Sequence, residues 1–159
     1  MGKRRSRLDA SAVAFMSGVA ELAALVPTPD PSLPGRGVRE IMTEPLRIAL
    51  AGLGTVGAGV IRLIDANGEL IARRAGRPIE VVAVSARDRA KDRGVDISRF
   101  DWVDDTAALA HHPKADVVVE LVGGSDGPAL ALARASLAGG KSFVTANKAM
   151  IAHHGLELA

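Results

Sequence analysis

The sequence predicts an α/β fold, a doubly wound and mostly parallel sheet covered by helices. Three observations lead there. Short, near-continuous apolar runs, the mark of strands buried on both faces, alternate with stretches of helical periodicity. A glycine triplet stands at the first junction of the two patterns, in the run Leu46 to Gly57, LRIALAGLGTVG. Hydrophobic residues make up 48% of the 159-residue chain and aromatics only 3%. The core must therefore be packed from Val, Leu, Ile and Ala, which suit a parallel sheet held between helices.

Ile48, Leu50 and Ala51 form the first expected strand, and Gly52, Gly54 and Gly57 follow it directly. In a G-x-G-x-x-G spacing the first glycine permits a tight turn and the second lets a pyrophosphate approach the backbone. The third lets the next helix pack against the strand. The N–H groups and dipole at the start of that helix favour phosphate charge. The helix is expected from Thr55, with Val56, Val60, Leu63 and Ile64 on one apolar stripe. A bare glycine motif can arise by chance in a chain with 17 glycines. Strand, turn and helix in the required order favour a dinucleotide site over a merely structural turn, and with it a Rossmann-type fold. Gly52, Leu53, Gly54, Thr55, Val56 and Gly57 are accordingly candidate cofactor-binding residues.

Asn67 and Gly68 interrupt the helical pattern, and a second helical stretch runs to Ala75. Arg73, Arg74 and Arg77 are expected at a solvated helix end, where cations meet the negative end of the dipole. Ile79 to Ser85, IEVVAVS, is a strand by its β-branched content. Its tip selects between coenzymes, because a carboxylate there binds the ribose 2′-hydroxyl of NAD while an arginine accommodates the 2′-phosphate of NADP. The tip reads Ser85-Ala86-Arg87-Asp88, then Arg89, Lys91 and Arg93. Arg87 comes first, so NADP or dual use is expected; Asp88 turned inward would instead allow NAD.

Phe100 to Asp104 is expected to carry a short edge strand, and Thr106 to His111 a turn or two of helix. Ala115 to Leu121, ADVVVEL, is the next strand, with Gly123-Gly124 behind it. Carboxyl ends of strands face the ligand crevice in open α/β sheets, which places Glu120 to Gly124 beside the cofactor. Gly127-Pro128 starts a helix whose inner face is expected to be Leu130, Ala133 and Leu137, and Gly139-Gly140 stops it. Lys141 to Thr145 is the last strand, followed by Ala146-Asn147-Lys148 and a helical stretch from Ala149 to Ala159. Lys148 stands where a cation could meet a cofactor phosphate, a nicotinamide amide or a substrate carboxylate; the plainer role is a lysine on a loop.

Several functions are excluded. With no cysteine there are no disulfides, thiolates or Cys-containing zinc sites, and a cytoplasmic location is expected. His111-His112 and His153-His154 are adjacent pairs that diverge by about 100° on a helix, so no metal site is expected and solvated helix ends are the better account. Ser125, Ser136 and Ser142 lack a nucleophile-elbow setting. The formal charge of +2 comes from residues 1–41, with six Lys or Arg against four Asp or Glu; the remainder holds fourteen of each. That neutral body carries no nucleic-acid footprint.

Residues 1–41 also differ in pattern: a basic start, MGKRRSRLDA, an apolar stretch broken by Glu21, and a proline-rich linker. A signal peptide fits poorly and a weak amphipathic helix somewhat better. An extension with little fixed structure, or an over-long start before Met42, fits best. No apolar run reaches the ~18 residues of a membrane span. The expected division is an extension over 1–44 and an NAD(P)-binding domain over 45–159.

Taken together, LRIALAGLGTVGAGV, ELIARRAGRPIEVVAVSARD, ADVVVELVGG and above all GGKSFVTANKAMIA resemble the homoserine dehydrogenase family, which interconverts aspartate 4-semialdehyde and homoserine with NAD(P)H. The resemblance covers about Pro45 to Ala159 and leaves the leader without a counterpart. It implies an oxidoreductase of threonine, methionine and isoleucine biosynthesis, using NADP, with NAD as the alternative, on a small-molecule substrate, and homo-oligomeric as a whole protein. It further implies that Gly52 to Gly57 bind pyrophosphate and Arg87 the 2′-phosphate. Val122 and Gly123 would lie on the nicotinamide side, and Lys148 near nicotinamide and substrate. The family's second half supplies substrate binding, proton transfer, the dimer interface and a monovalent metal site. This chain is expected to stop before it, as a fragment or truncated reading frame, to bind NADP(H) weakly and to turn over nothing. Another NAD(P)-dependent reductase of a small amino-acid aldehyde and a non-catalytic nucleotide-binding module stay open as alternatives.

Overall fold

A strand with too few polar residues to face water must be covered on both sides, and β1 (Leu46–Ala51) is: every residue but Arg47 is buried. The computed structural model describes residues 44–159, so the expected N-terminal extension, apart from its last residue, lies outside the described residues. β1 is the centre of a five-stranded sheet with β2 (Ile79–Ser85), β3 (Asp101–Trp102), β4 (Val117–Glu120) and β5 (Ser142–Thr145), in the order β3-β2-β1-β4-β5. All four pairings are parallel. The strand order reverses between β1 and β4, the place where ligands bind in open sheets of this kind.

The period of two along β1 divides the core. Leu46, Ile48 and Leu50 pack with Val60 and Ile61 of α1 (Thr55–Ala75) on one face. Ala49 and Ala51 face the other way, with Ala83, and their small side chains admit Leu109 of a 3-10 helix (Thr106–His111) and Leu132 of α2 (Pro128–Ala138). Met150 of α3 (Lys148–Leu158) joins Ala129, Leu130 and Ala133 in a satellite cluster.

Some details match expectation and others depart from it. The expected interruption at Asn67 and Gly68 is present as a kink in α1, where Asn67 leaves helical geometry (φ −131°) and its side-chain amide donates to the Leu63 carbonyl at 3.2 Å, so that two helical stretches meet there. Gly76, in the left-handed region at φ 76°, ends it. Arg73 and Arg74 are exposed in the last turn, but Arg77 lies past the cap, partly buried, with its Nε buried and without a partner among the described residues. The short edge strand expected within Phe100 to Asp104 is present as β3, in which Asp101 and Trp102 pair with β2. On α2, Ala129, Leu132, Ala133 and Ser136 make the inner stripe at helical spacing. Leu130 is also buried, but Leu137 is turned off that stripe and stands 41% exposed, contrary to its expected inward place.

Candidate functional site

The three glycines of the first turn are needed for different reasons. Gly52 has φ +95°, and a Cβ there would lie 2.6 Å from the Leu121 carbonyl oxygen, so both backbone conformation and packing demand glycine. A Cβ on Gly57 would lie 2.0 Å from the Gly52 carbonyl oxygen, so glycine lets α1 sit directly on the strand exit. Gly54 is different. Its φ is an ordinary −74°, and an added Cβ would meet nothing within 4 Å. Among the described residues nothing stands in the way of a side chain at 54; what favours glycine there is its place as the N-cap of α1 and any group lying across that N-terminus. That end has no side-chain cap and no acidic residue in its first turn, the environment a pyrophosphate requires. Leu53 is buried in the core and offers only backbone, Thr55 is exposed, and Val56 is half-buried.

Two main-chain bonds fix this turn to its neighbours. Gly52 N–H donates to the Ser85 carbonyl at 2.8 Å and Leu121 N–H to the Ala51 carbonyl at 2.8 Å, so the tips of β1, β2 and β4 are tied together.

The loop after β2 contains four cations with different surroundings. Arg93 donates from Nε to the Leu53 carbonyl at 3.1 Å, from Nη1 to the Lys91 carbonyl at 2.6 Å and from Nη2 to the Asp88 carbonyl. Its guanidinium therefore laces this loop to the glycine turn. Arg89 lies over the Trp102 ring, 5.7 Å from its centroid. Arg87 and Lys91 are exposed. Asp88 Oδ1 accepts the Ala90 N–H at 2.9 Å, a local turn contact.

On the other side of the turn, Val56, Val122, Gly123, Asn147 and Lys148 line a crevice of about 430 Å³, with the buried Glu120 directly behind its wall. It brings together the start of α1, the tip of β4 and the start of α3, elements far apart in sequence. Lys148 is exposed on its wall. Glu120 is wholly buried, and its carboxylate accepts the N–H groups of Val122 (2.6 Å) and Gly123 (2.9 Å) and the Thr145 hydroxyl (2.5 Å). Asn147 caps α3 by accepting the Met150 N–H at 3.0 Å. Sequence reasoning placed Glu120 beside the cofactor but passed over the parts played by Arg93, Thr145 and Asn147. A signal existed only for Glu120, a lone carboxylate closing an apolar run, since a charge there must be hydrogen-bonded.

The histidine pairs are not the solvated helix ends expected of them. His111 and His153 are exposed, but His112 is half-buried, with Nε2 3.2 Å from Asp101 and a buried Nδ1 that has no partner among the described residues. His154 Nε2 lies 2.9 Å from Asp126 and its Nδ1 3.6 Å from Glu157. The reason is tertiary: each second histidine is turned back onto a carboxylate from another segment or the next helical turn. Hydrogen bonds from Lys114 and His112 hold the Asp101 carboxyl below its ordinary range, and bonds from Ser125 and His154 do the same for Asp126. Among the described residues no three His, Asp or Glu side chains converge on a point that could hold a metal ion.

The family model described as homoserine dehydrogenase, NAD binding domain, matches residues 52–159. The chain is 43% identical over 109 residues to the homoserine dehydrogenase of Methylobacillus glycogenes, covering 69% of this chain and 26% of that protein. It is 44% identical over 117 residues to that of Pseudomonas aeruginosa, covering 72% and 26%. The crystal structure of a homoserine dehydrogenase from Thiobacillus denitrificans superposes with a TM-score of 0.67 at 38% identity, over 73% of this chain and 26% of that one. The chain thus spans about a quarter of the length of the curated relatives it matches.

Proposed function

Because the chain belongs to the homoserine dehydrogenase NAD-binding domain family, we propose that it is the coenzyme-holding part of an enzyme that passes a hydride between a nicotinamide and the aldehyde carbon of aspartate 4-semialdehyde, giving homoserine. The observation that carries this reading is Gly54: a glycine with open space beside it among the described residues, at a helix N-terminus without a side-chain cap, next to two glycines that packing requires. The coenzyme, when bound, supplies the hydride. Gly52 to Gly57 then hold the pyrophosphate through backbone N–H groups and the dipole of α1. Val122 and Gly123 border the nicotinamide half, and Lys148 brings a positive charge to the crevice for an anionic group of nicotinamide-side substrate or product.

NADP is the coenzyme we assign. Arg93 is engaged within the protein and Arg89, though exposed, lies over the Trp102 ring, while Arg87, nearest the β2 tip, is exposed. Asp88 has one oxygen committed to its own turn, which favours a 2′-phosphate on Arg87 over a 2′-hydroxyl on Asp88. We further assign the whole protein to the cytoplasm, as a homo-oligomer acting on small molecules; among the described residues no helix is long and apolar enough to cross a membrane. Isothermal calorimetry of the chain with NADPH and NADH tests the central claim. Saturable heat, larger affinity for NADPH, is expected, and no saturation with either coenzyme would refute it.

A further inference from the structure

A carboxylate sealed inside a core of Val and Leu must earn its hydrogen bonds from the protein itself. Glu120 does so in a closed ring. Its Oε1 takes the N–H groups of Val122 and Gly123, and its Oε2 takes the Thr145 hydroxyl. Thr145 Oγ1 in turn accepts the Asn147 N–H at 2.9 Å, and the Asn147 side-chain amide donates to the Gly124 carbonyl at 2.5 Å, returning to the loop after β4. The ring starts on β4, crosses to β5, enters the first turn of α3 and comes back. Gly123 and Gly124, at φ 80° and 86°, are consecutive left-handed glycines that have little stiffness of their own. The ring holds them.

It also sets their polarity. All described peptide bonds are trans, so a carbonyl points opposite the N–H of the next residue. With the Val122 and Gly123 N–H groups turned onto Glu120, the Leu121 and Val122 carbonyls face away from it. The Leu121 oxygen lies against Gly52. The Val122 oxygen is left as the acceptor that this turn can present to a carboxamide.

The geometry points to Glu120 as the positioning residue for the nicotinamide half of the coenzyme: it does not touch the ligand, having no exposed surface, but fixes the Val122–Gly123 turn and, through Thr145 and Asn147, the start of α3 that carries Lys148. The assignment rests on the dinucleotide reading given above. Its specific consequence is a split between the two halves of the coenzyme, because the glycine turn and Arg87, which would hold the adenosine phosphates, lie outside the ring.

The test compares NADPH with adenosine 2′,5′-bisphosphate, which lacks the nicotinamide half, on the full chain, Glu120→Gln and Thr145→Val. The parent should bind NADPH more tightly than the bisphosphate. In both variants NADPH affinity should fall about tenfold, the loss of one to two buried hydrogen bonds, with the bisphosphate held within about twofold of the parent, a change too small to reflect a lost bond. Loss of both ligands together, or of neither, overturns the inference, as does a parent that binds the two equally. Should Glu120→Gln not fold, Thr145→Val, which cuts the same ring from its other end with little change of volume, decides by the same ratio. A parent that binds neither ligand refutes instead the dinucleotide reading on which the inference stands.

Discussion

Gly54 and Gly57 carry the same side chain, a hydrogen, for opposite reasons, and substitution separates them. Alanine at 57 would drive a methyl group to 2.0 Å from the Gly52 carbonyl oxygen, so the backbone must move. Gly57→Ala is expected to lower unfolding free energy by about 1–3 kcal/mol, the usual cost of overpacking, read from urea denaturation. Alanine at 54 meets only open space. Gly54→Ala should cost at most about 1 kcal/mol, the preference of a helix N-cap for glycine over alanine, while weakening NADPH binding in calorimetry. A larger loss of stability with coenzyme affinity kept would show that this glycine serves the fold alone, and affinity kept at unchanged stability would remove it from the coenzyme site. Arg87→Ala probes the other end of the ligand. Because the residue is exposed, folding should be unaffected, whereas removing a cation from a phosphate should cost NADPH about tenfold or more, the worth of a charge-assisted bond. NADH, lacking the 2′-phosphate, should bind as before, so equal loss for both coenzymes would remove Arg87 from that role.

Between elements, side chains decide how firmly the loops are held. Arg93 ties the loop after β2 to the Leu53 carbonyl, and Arg134 of α2 clasps Glu157 of α3 at 2.5 and 2.9 Å. The Arg134 hydrogen bond holds the Glu157 carboxyl below its ordinary range. A carboxyl whose folded pKa is depressed adds stability above its unfolded pKa, near pH 4.3, and that contribution fades as pH falls through the lower folded value, below about pH 4. Thermal midpoints should therefore drop on acidification through this window, and Glu157→Gln should flatten the drop slightly, since both partners are about half exposed and screened. The strands and helices were legible in the sequence because burial of a parallel sheet leaves an apolar run and each helix leaves a stripe. What was not legible was long-range. Leu137 has the spacing of an inward residue yet lies outside, because Leu132 and Ser136 set the inner face. Arg93, Thr145 and Asn147 reach carbonyls, a carboxylate and an N–H that no local pattern announces. Gly52 to Gly57 and Lys148 could be proposed from the sequence because a dinucleotide would need glycines at fixed offsets and because Lys148 lies in GGKSFVTANKAMIA, the segment that most resembles the family.

At the scale of the whole molecule, the parallel sheet makes the candidate site a joint product of distant segments. The order β3-β2-β1-β4-β5 brings the tips of β1, β2 and β4 side by side, and the main-chain bonds of Gly52 and Leu121 lock them. A coenzyme spanning from Arg87 to Lys148 would touch both halves of the sheet at once, so its binding should stabilise the domain as a unit and not one loop. Linkage gives the size: at free NADPH one hundred times the dissociation constant, the native state gains about 2.7 kcal/mol, which for a domain of this length raises the melting temperature by about 10 °C. Differential scanning calorimetry should show a single transition displaced upward by that amount, with adenosine 2′,5′-bisphosphate giving a smaller displacement at equal concentration. Two transitions, only one of them moved by NADPH, would mean that the β1–β2–β3 and β4–β5 sides melt separately. The bonds from Gly52 to Ser85 and from Leu121 to Ala51 would then not couple the two ends of the site.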